Sequence, residues 1–470
     1  MKVMQHKISI KLSLIIVTFL FCSCEDFLEV EAPSHKIVSE TVFDRDETAI
    51  SAMTGLYNQL FRASFYGGIR ETSVNVFAGL SADELKAIRP NDLTLLEFYQ
   101  NNIQPDNTGN LSIWSSAYNI IYMTNSLLEG VKASDNLSAE LSNSLIGEAK
   151  FVRAFTYFNL INLYGGVPLV LTTDYRENAQ MPREETAVIY NQVFEDLYNA
   201  LELLGEEYRE GERTRVNRYA VAALLARVNL YQENWSQAES YSSEVISQNG
   251  QYQIIEDLNQ VFLANSKEAI WQISPIGGSG GILTNTNEGS IFIFNPNFPN
   301  LTKLALTPDL VAVFQDEDKR FINWVGYNEP TGNFYAWKYK DRQSFNNITE
   351  YSMVLRLAEQ YLIRSEARAK QGDLAGAIAD LNYIRQRAGL MPVEDLDMEI
   401  QVEAFMDLLE KERRRELFTE WGHRWMDLKR TGRAVSVLDS KPSGFENTDT
   451  LFPIPAEERI KNSNLAIIEV

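Results

Sequence analysis

Apolar positions recur every three to four residues through much of the chain, and that spacing predicts helices. Residues 44–62 open with Asp44 and Asp46 and carry Ile50, Met53, Leu56, Tyr57 and Leu60 on one face. Acids in a first turn suit the positive end of a helix dipole. Residues 111–131 repeat the period with Ile113, Tyr118, Ile121 and Leu128. A longer helix is expected over 138–164, where Phe151, Phe155, Phe158, Leu160 and Leu163 read as core. Gly165-Gly166 and Pro168 end it. Another helix is expected over 184–204. Segments 217–249 and 356–389 each read as two helices joined by a short turn. In each, a small residue stands a fixed distance before a second one: Ala226 before Ala238, and Ser365 before Ala377. Tetratricopeptide hairpins need small residues where their two helices approach most closely. The expected fold is mostly α: tetratricopeptide-like hairpins form a scaffold, with long irregular loops and minor β inserted.

Two stretches, 66–110 and 272–348, lack sustained helical period. Loops of that length are usually functional or disordered. The second is dense in rings (Trp324, Tyr327, Tyr335, Trp337 and Tyr339 among them), and disordered segments are poor in aromatics.

Charge and cysteine usage narrow the function classes. Asp and Glu number 64 against 43 Lys and Arg, a formal net charge of −21. Nucleic-acid binding needs the opposite excess. Three His and two Cys are too few for a His-rich metal site, a four-Cys zinc site or a disulfide framework. The acidic run Asp316-Glu317-Asp318 reads as solvated, and neither metal nor cofactor is expected. The first residues carry Lys2, Lys7 and Lys11 and no acid, then the apolar run Leu12–Phe21, then Cys22-Ser23-Cys24. That is the layout of a lipoprotein signal, 1–23, with Cys24 the acylated residue because small Ser23 precedes it. An acidic lipidated tether, 24–43, follows, and 44–470 reads as one helical domain.

Three stretches together resemble the SusD/RagB family of surface lipoproteins. They are Glu148–Phe155 running on to Tyr164–Leu169; Glu412–Phe418 continuing as Glu420–Gly432; and Leu451-Phe452-Pro453-Ile454-Pro455 with Asn464-Leu465 after it. The tail Ile467–Val470 departs from the family's usual close. The acidic start after Cys24 resembles the export signal of Bacteroidota surface lipoproteins. The resemblance implies a protein on the outer face of the outer membrane, held by its lipid anchor. It implies a lid over a SusC-like TonB-dependent transporter that captures a nutrient oligomer, most often a glycan, and does no chemistry on it. A peptide-binding, RagB-like uptake role is the alternative.

The hallmark residues themselves read as structural. Arg153 suits an interior ion pair, and Glu410–Arg414 and Glu412–Arg415 suit pairs along one helix. Trp114, Trp235, Trp271, Trp421 and Trp425 read as core. Ligand residues are sought in the irregular stretches, because aromatic faces cover the C–H faces of sugars and polar side chains take their hydroxyls. The candidates are Tyr66, Asp83, Arg89, Trp324, Tyr327, Tyr335 and Trp337. A glycoside hydrolase is the remote alternative. It needs two carboxylates facing each other across a cleft. Asp83 and Glu84, being adjacent, point apart.

Overall fold

The computed structural model describes residues 42–67, 72–275, 285–343, 347–393, 401–441 and 444–465. Cys24, the signal segment, nearly all of the tether and the last five residues lie outside the described residues. Helices α1 (Asp46–Arg62), α2 (Val74–Ser81), α3 (Leu93–Gln100), α4 (Thr108–Ala133), α5 (Ala139–Tyr164) and α6 (Thr186–Leu203) come first. The hairpins α7–α8 (Arg218–Tyr231, Trp235–Ile246) and α9–α10 (Leu357–Lys370, Leu374–Arg387) follow, and then α11 (Val402–Leu417) and α12 (His423–Arg430).

The long helices begin where short polar side chains cap them. Asn107 Oδ1 accepts from the backbone of Gly109 (2.9 Å) and Asn110 (3.1 Å) at α4. Ser138 Oγ accepts from Leu141 N at α5. Such caps satisfy backbone donors that the helix cannot. From Phe151 to Tyr164 almost every side chain of α5 is buried, so this helix runs through the core with no solvent face. It stops at Gly165, whose φ of 71° only glycine adopts without strain.

In both hairpins the small residues do sit at the crossing. Ala226, Ala238, Ser365 and Ala377 are fully buried, and Ser365 Oγ donates to Ala377 O at 2.8 Å. The α7–α8 hairpin packs on α9–α10, which gives the solenoid-like scaffold.

Where they are described, the irregular stretches carry short elements. The first holds α2, strand β1 (Leu85–Ala87) and α3. The second holds one- and two-turn helices such as Lys319–Trp324, strand β3 (Leu304–Leu306) and the hairpin β4–β5 (Val325–Asn328, Asn333–Ala336). Strand β2 (Ala269–Ile273) pairs antiparallel with β6 (Ser352–Arg356), and β1 pairs antiparallel with β3. One contiguous hydrophobic core runs from Phe43 to Leu465 and joins all of these.

The Glu-Arg-rich stretch of α11 is buried, not a solvated face. Arg356 meets Glu416 at 2.6 Å, Glu420 at 2.8 Å and Glu268 at 3.0 Å. Arg320 meets Glu416 at 2.9 Å and Asp318 at 2.8 Å, and Arg387 pairs with Glu416 and with Glu268. Burial alone would raise the Glu416 carboxyl, but the three guanidiniums hold it well below the ordinary carboxylate range. Asp318 is therefore not solvated: it is fully buried and forks onto Arg320, while Asp316 and Glu317 stay exposed. Glu412–Arg415 forms as expected at 3.3 Å, whereas Glu410 pairs with Arg424 (2.6 Å) and Arg433 instead of Arg414. Arg153 forks onto buried Asp196 at 2.7 and 2.8 Å. Of the five tryptophans read as core, four are buried; Trp235 is half-exposed.

Candidate functional site

The β4–β5 hairpin and the β1–β3 pair face each other across an open cleft of about 330 Å³. After Trp324 the chain enters β4, turns at Glu329–Gly332 and returns as β5. Gly332 closes the turn with φ of 65°. The register sets Gly326 opposite Tyr335 and Tyr327 opposite Phe334. With no side chain on Gly326, the Tyr335 ring lies over that backbone; a methyl there would fall 2.2 Å from Tyr335 Cζ. Tyr335 and Phe334 line the cleft on this side, with the polar side chains of Asn328, Thr331 and Asn333.

The opposite wall comes from the residues after β1 and before β3. Arg89 Nε donates to Thr302 O at 3.0 Å and its Nη2 donates to Pro299 O at 2.5 Å, which ties the 299–302 turn to β1. Phe294, Pro299, Asn300 and Leu304 complete the lining. Arg89 is the one charged residue among the described lining, and none of it is Asp or Glu. A glycosidase dyad thus has no place in this cleft. Outside the lining, Tyr327 on β4 is 55% exposed and Phe298, next to Pro299, 63% exposed.

Of the seven expected ligand residues, Arg89 and Tyr335 come together in the cleft, and Tyr327 stands beside it on the same hairpin. Tyr66 is fully buried. Its hydroxyl shares a 2.5 Å hydrogen bond with Thr156 Oγ1, and its ring packs on Phe65, Phe155 and Trp421. Trp324 is also fully buried; its Nε1 donates to Leu258 O at 2.9 Å, and the Lys338 ammonium lies 5.0 Å from its ring. Neither can stack on a ligand, which corrects the expectation for both. Asp83 is occupied by Arg424, at 2.7 and 2.9 Å, and by Arg414 at 3.0 Å. It joins α11 and α12 to the segment just before β1 and is not in the described lining of this cleft. Trp337 is half-buried under the Lys340 ammonium, 4.0 Å from its ring, and does not line the cleft.

The reading from sequence missed Phe294, Phe334, Asn300, Asn328, Thr331 and Asn333. The signal that could have found four of them is the hairpin itself: two short runs with Val, Tyr and Phe about the turn signal Pro330-Thr331-Gly332 place both flanks on one feature.

Among the described residues no group of three His, Cys, Asp or Glu is placed to hold a metal ion, and no helix is long and apolar enough to cross a membrane.

Residues 26–230 match a SusD-like family described as starch-binding and associating with the outer membrane. Residues 323–466 match the SusD family. A SusD-like protein of Formosa agariphila is 24% identical over 94% of this chain and 95% of its own length. A SusD superfamily protein from Bacteroides vulgatus superposes with a TM-score of 0.79 at 22% identity, covering 91% of this chain and 99% of that one. A structure described as a laminarin-binding SusD-like protein superposes with a TM-score of 0.73 at 22% identity, covering 88% and 97%. Proteins of this family bind and do not catalyse. The two family matches together take in most of the chain, which belongs to the SusD/RagB family.

Proposed function

We propose that the protein is a cell-surface glycan-binding lipoprotein that captures an oligosaccharide in the hairpin cleft and passes it to a SusC-like TonB-dependent transporter. The observation that carries this reading is the cleft: the Tyr335 ring over Gly326 and Phe334 beside it, with amide and hydroxyl side chains and one cation around them, and the exposed ring of Tyr327 on the same hairpin. Sugars offer apolar C–H faces and many hydroxyls, and this wall offers the complement of both. The laminarin-binding neighbour supports a glycan rather than a peptide. Little ligand surface is enclosed, so affinity is weak to moderate.

Acylation of Cys24 and the tether up to residue 43 would place the cleft outside the cell. Replacing Cys24 by Ser should release the protein from the membrane fraction, and affinity purification of the anchored protein should bring the transporter with it. Isolation of the native protein solely as a free monomer would contradict the lid role. For the cleft, titration calorimetry with laminarin and other neutral glucans should show heat for the parent and little for Tyr327→Ala/Tyr335→Ala. Equal affinity in the two proteins would remove the cleft from the mechanism.

A further inference from the structure

A second open hollow, of about 360 Å³, lies away from the hairpin cleft, between α4, the loop after α5 and residues 458–465. That volume is at the lower end of small-molecule sites, about 300–1,000 Å³. Its floor is aromatic. Trp114 and Tyr118 of α4 lie 5.0 Å apart, and the Tyr118 hydroxyl donates to Pro168 O at 2.9 Å. Tyr122, one turn further on, is 51% exposed, and Tyr175, on the facing loop, is 72% exposed.

The loop is pinned, so the hollow is preformed. Asn125 Nδ2 donates to Val170 O at 3.0 Å, and Val170 N donates to the Tyr157 hydroxyl at 2.7 Å. Asn178 Nδ2 donates to Thr172 O at 2.9 Å. Glu458 and Lys461 are the charged residues of the described lining and pair at 3.0 Å; Glu457, outside it, also meets Lys461, at 2.8 Å. The described lining itself therefore carries no net charge, and its complement is neutral, hydroxyl-rich and flat-faced.

We propose that this hollow is a second carbohydrate subsite, which takes a neutral glycan against Tyr122 and Tyr175. The proposal rests on the reading of the protein as a glycan binder and adds a site that this reading does not require. Two sites on one rigid body would hold a long polysaccharide by avidity, while a short oligosaccharide would fill them one at a time.

The test uses four proteins: the parent, Tyr327→Ala/Tyr335→Ala, Tyr122→Ala/Tyr175→Ala, and the combination. Each is run on native gels cast with laminarin, soluble starch, xylan or galactomannan. On a polymer that retards the parent, Tyr122→Ala/Tyr175→Ala should weaken apparent affinity about tenfold or more. Retardation that survives in the hairpin variant should vanish in the combination. Tyr122→Phe/Tyr175→Phe keeps both rings and should restore binding, and unchanged thermal melts would show that the fold is intact. If the Tyr122/Tyr175 variant is retarded as strongly as the parent while the hairpin variant is not, the second site is refuted and the hairpin cleft stands. If no polymer retards the parent, the underlying glycan reading fails and the subsite with it; if the combination is still retarded like the parent, neither hollow is the glycan site and the subsite is refuted. A Tyr122/Tyr175 variant that keeps full glycan binding but loses copurification with the transporter would give the hollow to a protein partner and overturn the proposal.

Discussion

Trp324 and Tyr327 stand three residues apart, yet their surroundings give them opposite roles. Trp324 ends a two-turn helix with its ring under Lys338 and its indole N–H tied to Leu258 O. Tyr327 lies on β4 with its ring mostly in water, 4.8 Å from Phe334. Trp324→Ala should therefore lower stability by about 3–5 kcal/mol, the usual cost of emptying a buried aromatic site. Tyr327→Ala should change it by about 0.5 kcal/mol or less and act on glycan affinity alone. Urea melts of both variants check this, and a strongly destabilised Tyr327→Ala would mean that its ring supports the fold. Gly326 acts through its neighbour. Gly326→Ala would drive the Tyr335 ring off the strand, since no Cβ fits beneath it. The expected result is a several-fold loss of glucan affinity with at most about 1–3 kcal/mol of destabilisation from crowding. Unchanged affinity would show that Tyr335 binds from another pose, or not at all. This is also where the sequence was least informative about the site. The period changes from helix to strand between Trp324 and Val325, so no single pattern says which rings face in. Composition pointed to the correct segment; the side of each ring depended on the β4–β5 register.

The elements divide in the same way into what periodicity reveals and what packing decides. Every helix of the two hairpins, and the long helices α4 and α5, was legible because amphipathic spacing and small residues at a crossing are local patterns. The charged face of α11 was not, since a run such as Glu412–Glu416 ordinarily reads as solvated. Its burial is settled by Arg320, Arg356 and Arg387, which arrive from three other segments. Near this network sit two acids that the guanidiniums do not rescue. Burial pushes the Glu84 carboxyl up to about 7, with Thr419 N as its hydrogen-bond donor and Asp83 adding to the rise. Burial also pushes Glu288 up to about 7, against hydrogen bonds from Ser352 and Asn75. In the unfolded chain each would titrate near 4.3. Between those values the folded protein keeps protons that the unfolded chain has lost, so this contribution is full at low pH and fades as pH rises through 7. A Gln at either position has no proton to lose. Glu84→Gln and Glu288→Gln should therefore gain stability relative to the parent between pH 5 and pH 8, by on the order of 1 kcal/mol or more. Denaturant midpoints at the two pH values measure it, and a difference from the parent that does not change with pH would show that these carboxyls are ionised in the fold.

At the scale of the whole molecule, the field and the cleft carry opposite signs. The chain bears 64 acids against 43 bases, while Arg89 is the one charge in the described cleft lining. Fields of a strongly acidic protein repel anionic polymers at long range, and salt shortens that range to about 8 Å at physiological strength. A neutral glycan feels neither effect. It meets rings, amides and one guanidinium at contact distance, where water is displaced and screening is weak. The dissociation constant for a neutral glucan should accordingly stay within about twofold between 20 and 500 mM NaCl. A sulfated or uronic-acid polymer should bind more weakly at 20 mM than at 500 mM, because added salt removes the repulsion before it weakens any contact with Arg89. Calorimetric titrations at the two ionic strengths separate these outcomes. Tighter binding of the anionic polymer at low salt would mean that Arg89 governs recognition and that the ligand of this cleft is acidic.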